Sequence, residues 1–100
     1  MKVVWTDRAK QRLRQIHDRI AADAPMVAPE VTRRILSRWR RAGELPRSGK
    51  KVPEYEHEHV RKLKERPYRI IYLVREELDR VDILTVRHYR ELLQSDFEVL

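Results

Sequence analysis

Val81-Asp82-Ile83-Leu84-Thr85-Val86-Arg87-His88 is a β-branched run that closes on Arg87-His88-Tyr89-Arg90. Groups that donate, accept or exchange protons therefore gather where a strand is predicted to stop. Tyr68-Arg69-Ile70-Ile71-Tyr72-Leu73-Val74 is a second such run, with one cation, Arg69, among apolar neighbours. An arginine there either snorkels off a solvated sheet face or reaches the rim of a site. Arg34, Arg38 and Arg41 recur at i, i+4 and i+7, with Arg33 and Arg40 beside them. On a helix that spacing draws a basic stripe, which is either a solvated face or a contact for an acidic partner. His57-Glu58-His59 offers two imidazoles but no second ligand cluster, so it reads as a solvated loop and no metal is expected. The chain has no cysteine, hence no thiolate nucleophile, thiolate metal site or disulfide.

These groups need elements to hold them. Lys2-Val3-Val4-Trp5 is a short strand candidate. Thr6 can cap a helix in which Ala9, Leu13, Ile16 and Ile20 share one face, ending near Ala22 to Ala24 before Pro25. A second helix is expected over Met26 to Ala42, with Pro29 in its first turn and Gly43 placed to end it. So short a link makes the two helices an antiparallel hairpin. Leu45 to Pro53 is a basic loop punctuated by prolines and a glycine. Val60-Arg61-Lys62-Leu63-Lys64 alternates weakly and reads as an edge strand. Glu76-Glu77-Leu78-Asp79 is short and polar enough to join the two long runs as a hairpin. Tyr89 to Gln94 suggests a last helical turn, and 96–100 a tail that docks or frays.

The expected fold is α+β in one domain over residues 1–100: a strand, an antiparallel two-helix hairpin, then a three-stranded antiparallel meander, with the helices on one face of the sheet. Within the Tyr68 run, Tyr68, Ile70, Tyr72 and Val74 share one face, and Arg69, Ile71, Leu73 and Arg75 the other. Leu13, Ile16, Ile20, Ile35, Trp39, Ile70, Tyr72, Ile83 and Leu84 are the expected core, with Trp5 packed on it.

The net charge is +7 and it is uneven. Residues 1–45 hold 11 basic and 5 acidic groups, while residues 68–100 hold 5 and 7. The basic field of the first part favours an acidic partner: nucleic acid, an acidic protein segment or a membrane surface. No apolar run has the length of a membrane span, and the N-terminus lacks a signal-peptide core, so a soluble cytoplasmic chain is expected.

Gly49-Lys50-Lys51-Val52-Pro53-Glu54, then Arg61 and Leu63, then Tyr68-Arg69-Ile70-Ile71-Tyr72, then Ile83 to His88 with Arg90, resemble the RelE/ParE toxin superfamily. The opening Trp5-Thr6 with Ala9 and Leu13 is similar to it too, so the likeness spans nearly the whole chain in order. The resemblance implies the RelE/ParE-like fold and the toxin half of a bacterial type II toxin–antitoxin pair. It implies a cognate acidic antitoxin as partner, in a homodimer or a toxin–antitoxin heterotetramer, and no cofactor.

Two activities follow from that resemblance. The Gly-x-x-Val-Pro-Glu and Tyr-Arg-Ile-Ile-Tyr spellings look more like the ParE branch, which inhibits DNA gyrase without nuclease chemistry. On that reading Arg61, Arg87 and Arg90 meet the target, and Arg34, Arg38 and Arg41 meet the antitoxin. The RelE branch instead cuts messenger RNA in the ribosomal A site. Metal-free cleavage needs a base for the 2′-hydroxyl, a cation for the phosphorane charge and an acid for the 5′-oxygen. Glu54, Arg69 and His88 are the candidates in that order, with Tyr89 stacking on a base. A basic nucleic-acid-binding module without toxicity is the third reading. Against it, aromatics do not interleave with the basic residues as single-strand platforms would require.

Overall fold

The computed structural model describes residues 1–55 and 57–91. Five strands form one sheet in the order β1-β5-β4-β3-β2. They are β1 (Lys2–Trp5), β2 (Lys50–Lys51), β3 (Val60–Glu65), β4 (Tyr68–Arg75) and β5 (Arg80–His88). The meander β3-β4-β5 is antiparallel, as expected from its short connections. Two pairings were not legible in the local sequence. β1 lies parallel to β5, with Val3 opposite Val81 and Trp5 opposite Ile83. β2 adds a two-residue edge to β3, so the predicted edge strand is edged only beyond Lys62.

Helix α1 (Asp7–Asp23) starts and stops where the sequence indicated. Thr6 caps it: its hydroxyl oxygen accepts from the Ala9 amide at 3.2 Å and its hydroxyl donates to the Ile83 carbonyl at 2.7 Å. One side chain thus satisfies the helix start and fixes it to β5. The second helix is two pieces, α2 (Ala28–Ser37) and α3 (Trp39–Glu44). At Arg38 the hydrogen bonds tighten to three-residue spacing, from the Arg38 amide to the Ile35 carbonyl and from the Arg41 amide to the Arg38 carbonyl, each 3.1 Å. The turn swings Ala42 and Gly43 into the interior and leaves Trp39 on the surface, 41% exposed, with the Arg40 guanidinium 5.5 Å from its ring. Trp39 is therefore not core. Gly43 does not end the helix; it lies inside α3, where a Cβ would come within 2.8 Å of Val3 and 2.9 Å of the Met1 carbonyl.

The helices cover one face only. Ile16, Ile35, Ala42, Ile70, Tyr72, Val74, Val81, Ile83 and Val86 form the main core between helices and sheet, with Leu13, Ile20 and Trp5 partly buried against it. On the opposite face Val52, Val60, Ile71, Leu73 and Leu84 make a smaller cluster under the loop that precedes β3. Ile83 and Val86 face the helices although three residues apart, because a register shift at Ile71/Tyr72 leaves Leu84 as an extra residue. Leu84 is buried as expected, but on the face away from the helices. Glu76–Leu78 is one 3₁₀ turn, and Asp79 completes the hairpin at φ 49°.

Candidate functional site

The side chains singled out in the sequence divide between the two faces of the sheet. Register makes the division: Arg69 lies opposite Arg87 and Lys64, whereas Tyr68 lies opposite His88 and Glu65. Tyr68 packs on the main core, so its row faces the helices. The neighbouring row is on the open face.

On the open face Arg69 is only 6% exposed. Its guanidinium donates to a Glu54 carboxylate oxygen at 2.7 Å and to the Glu91 carbonyl at 3.1 Å. Burial disfavours ionised Glu54. The Arg69 hydrogen bond, a backbone hydrogen bond and the charges of Arg69 and Lys62 outweigh that, and the carboxyl sits below the usual range. Arg69 is thus neither of the solvated kind nor free at a rim; it is a buried cation with a carboxylate on it.

On the helix face His88 meets Tyr68 edge-on, ring centroids 5.5 Å apart. Its Nδ1 accepts from the Arg90 amide at 3.1 Å. Tyr89 is exposed at the turn after β5, with the Arg66 guanidinium 5.9 Å from its ring. Glu54 and Arg69 are together, then, while His88 is on the other side of the sheet.

Glu91, which the sequence did not single out, ties the end of β5 together. One carboxylate oxygen takes Arg12 of α1 and the His88 amide, the latter at 3.1 Å; the other takes Arg87 at 3.2 Å. Arg12 also donates to the Val86 carbonyl at 3.0 Å. Burial raises the Glu91 carboxyl, but the His88 amide, the Arg12 charge and Arg87 lower it further, leaving it below the usual range. The only sequence signal was Glu91 four residues after Arg87, which is weak without the fold. Beside this knot a cleft of about 550 Å³ opens between α1 and the strand ends, lined by Arg12, Arg19, Ile20, Tyr68, His88 and Arg90 among others.

The three expected target arginines differ in freedom. Arg61 is committed to the Gly49 carbonyl at 3.0 Å and Arg87 to Glu91, while Arg90 is exposed and its guanidinium has no ion pair among the described residues. Of the expected antitoxin arginines, Arg34 and Arg41 are exposed and Arg38 is half-buried at the helix break. The break puts Arg41 on a different helix from Arg34, so the stripe bends. An apolar groove of about 430 Å³ runs between α1 and α2, floored by Trp5, Leu13 and Leu36 and rimmed by Lys10 and Arg14. Among the described residues no three histidine or acidic side chains are grouped so as to hold a metal, and no helix is long and apolar enough to cross a membrane.

Basic helices packed on one face of a five-stranded mixed sheet define an α+β class, and comparison with known proteins identifies the family. A family model described as the ParE toxin of the type II toxin–antitoxin system, parDE, matches residues 3–93. The chain belongs to that family. Among solved structures it is similar to a chain from the chromosomal ParDE toxin–antitoxin system of P. aeruginosa, with 24% identity, a TM-score of 0.74, and 88% of this chain and 95% of that one covered. It is also similar to a chain of the RelBE2 toxin–antitoxin complex of Mycobacterium tuberculosis, with 25% identity, a TM-score of 0.56, and 87% and 88% covered. No curated protein sequence matches the chain.

Proposed function

We propose that this toxin inhibits DNA gyrase in the cytoplasm and is held inactive by a cognate acidic antitoxin. One observation carries the choice of target. The nuclease alternative needs a base and an acid on the same phosphodiester, but Glu54 is on the open face of the sheet and His88 on the helix face. Glu54 is also ion-paired and held below the usual carboxylate range, which weakens it as a base. The parDE description of the family supports the same choice.

The antitoxin reading draws on the similar structures, whose titles name a toxin–antitoxin system and a toxin–antitoxin complex. The groove between α1 and α2 suits apolar side chains flanked by carboxylates, because its floor is apolar and its rim cationic. The test is a supercoiling assay with purified gyrase, beside a primer-extension assay for cuts in ribosome-bound message. Inhibited supercoiling with intact message, retained by Glu54→Ala and His88→Gln, is the expected result. Message cuts that vanish in His88→Gln, with supercoiling untouched, would replace the gyrase reading by the nuclease one.

A further inference from the structure

Four large apolar side chains stand out in solvent at one end of the sheet. Met1, Trp39 of α3, Leu45 at the end of α3 and Leu78 in the turn between β4 and β5 are each 39–52% exposed. Three tethers bring their segments together. The Met1 nitrogen donates to the Gly43 carbonyl at 3.0 Å, the Lys2 amide donates to the Asp79 carbonyl at 3.3 Å, and Arg47 pairs with Glu76. A hollow of about 460 Å³ opens there, lined by Met1, Trp39, Arg40, Gly43 and Glu44. Single apolar residues on a surface need no explanation. Several on tethered segments around a tryptophan mark a contact surface.

Charge decides what fits it. Residues 1–45 carry an excess of positive charge, so a second copy of the chain is repelled over most of the helix surface. Residues 1–2, 39–47 and 76–79 are balanced instead. Lys2, Arg40, Arg41 and Arg47 stand there against Glu44, Glu76, Glu77 and Asp79. A ring of both signs around an apolar centre complements itself under a two-fold axis, whereas half of it repels an acidic partner. The backbone agrees. β1 is the terminal strand, and Lys2 and Thr6 direct their amides to β5 carbonyls, so the peptide groups of Val3 and Trp5 point outward. Such an edge is a template for another strand. We propose that this end of the molecule is where a second copy of the chain docks, with Trp39 of each copy buried against the other beside the open β1 edge. The apolar groove between α1 and α2 shares no lining residue with this hollow, so the antitoxin and the second copy do not compete for the same side chains. The contact does not depend on which target the toxin inhibits.

Sedimentation velocity on the full chain, over about 1–100 μM, reads the assembly. The wild type is expected to dimerise, and Trp39→Asp to raise the dimer dissociation constant ~10-fold or more. Met26→Asp is expected to match wild type, because Met26 is 90% exposed but lies in the turn between α1 and α2. Added salt should tighten the dimer by screening the repulsion between two chains of net charge +7, the reverse of its effect on the antitoxin. Circular dichroism checks folding. Leu78→Asp, exposed on another of the tethered segments, is expected to weaken the dimer severalfold and keeps the test alive if Trp39→Asp does not fold. A wild type that stays monomeric over the whole range, a Met26→Asp loss equal to that of Trp39→Asp, an unmoved dimer in Leu78→Asp, or a dimer that loosens with salt would each overturn the proposal. A monomeric wild type whose folded Trp39→Asp variant loses antitoxin binding or gyrase inhibition would give the surface to that partner instead.

Discussion

Gly49 donates its amide to the phenol oxygen of Tyr72 at 3.1 Å, and Tyr72 donates its hydroxyl to the Pro46 carbonyl at 2.7 Å. One buried phenol thereby fastens the basic loop to the central strand. A Cβ on residue 49 would stand 2.3 Å from that phenol oxygen and 2.7 Å from the Lys62 carbonyl. Neither a buried tyrosine nor strand backbone can step aside freely. Gly49→Ala should therefore destabilise by about 1–3 kcal/mol through overpacking, with further loss from the displaced hydrogen bond. Urea denaturation checks it; an unchanged midpoint would show that the loop re-seats without penalty.

Tyr72 also sets a limit at high pH. Burial raises its phenol above the ordinary value of 10.0, against the opposing pull of the Gly49 amide and of Arg61 and Arg47. A raised folded value favours the neutral form. The contribution is whole below pH 10 and is lost as pH rises through the folded value. Tyr72→Phe should remove that alkaline sensitivity. It should also cost about 1–3 kcal/mol at neutral pH, because the Pro46 carbonyl and Gly49 amide lose their partner. Thermal melts across pH 8–12 on both proteins provide the measurement.

Acid should act on the knot at the end of β5 and on the Glu54–Arg69 pair. Glu91 and Glu54 both lie below the ordinary 4.5 in the folded chain. The sign is opposite to that of Tyr72: stability is full above the unfolded value and falls as pH drops through the folded ones. Glu91→Gln should shift the acid unfolding midpoint upward or flatten the pH dependence. It should also lower neutral stability by about 1–3 kcal/mol, since Arg12 and Arg87 lose a charged acceptor. An acid transition identical to wild type would mean that the Glu91 carboxylate is not linked to folding.

The sequence made some of this legible and withheld the rest for physical reasons. Thr6 and the Ala9–Leu13–Ile16–Ile20 spacing are local signals, and α1 follows them. The β-branched runs name β4 and β5, since each is buried along nearly its whole length. Arg38 breaks the second helix with no glycine or proline to announce it; its φ and ψ of −75° and −16° are ordinary helical values. What decides the break is that Ala42 and Gly43 must reach β1, and β1's own position depends on a parallel pairing with β5 nearly eighty residues away. Glu54 and Arg69 looked like members of one site with His88. Only the period-2 alternation, combined with which face the helices cover, separates them. Asp82 is buried at 6% exposure because Arg75 and Arg80 converge on it at 2.6 and 2.7 Å, a fork visible only once the hairpin closes.

Association with the antitoxin should have a fast, salt-sensitive electrostatic phase and an apolar one that salt leaves alone. Residues 1–45 carry the excess of positive charge; Arg34 and Arg41 expose it on α2 and α3, and Lys10 and Arg14 line the apolar groove. Arg34→Glu with Arg41→Glu should slow association by about an order of magnitude at low ionic strength, and less as salt screens the field. Leu36→Asp, at the groove floor and 42% exposed, should instead speed dissociation. Stopped-flow measurements over a salt series separate the two. An association rate indifferent to ionic strength would remove the electrostatic half.

On the proposed gyrase reading, Arg87 and Arg90 are the natural pair to change in a search for the target contact, yet the structure makes them unequal. Arg87 is bound to Glu91, so its loss disturbs the knot before it says anything about a target. Arg90 is exposed beside the cleft, and among the described residues only its backbone amide is hydrogen-bonded, to His88. Arg90→Glu should leave thermal stability within about 0.5 kcal/mol of wild type, as surface changes usually do. Reversing its charge against a negative surface on the target should weaken gyrase inhibition about 10-fold or more, because like-charge contacts cost several kcal/mol across an interface. Arg87→Gln should lower stability first and inhibition only in proportion to the folded fraction. Dose–response curves in the supercoiling assay, normalised by folded protein, distinguish the two. If Arg90→Glu inhibits as well as wild type while normalised Arg87→Gln does not, the contact surface runs through the knot rather than the cleft rim.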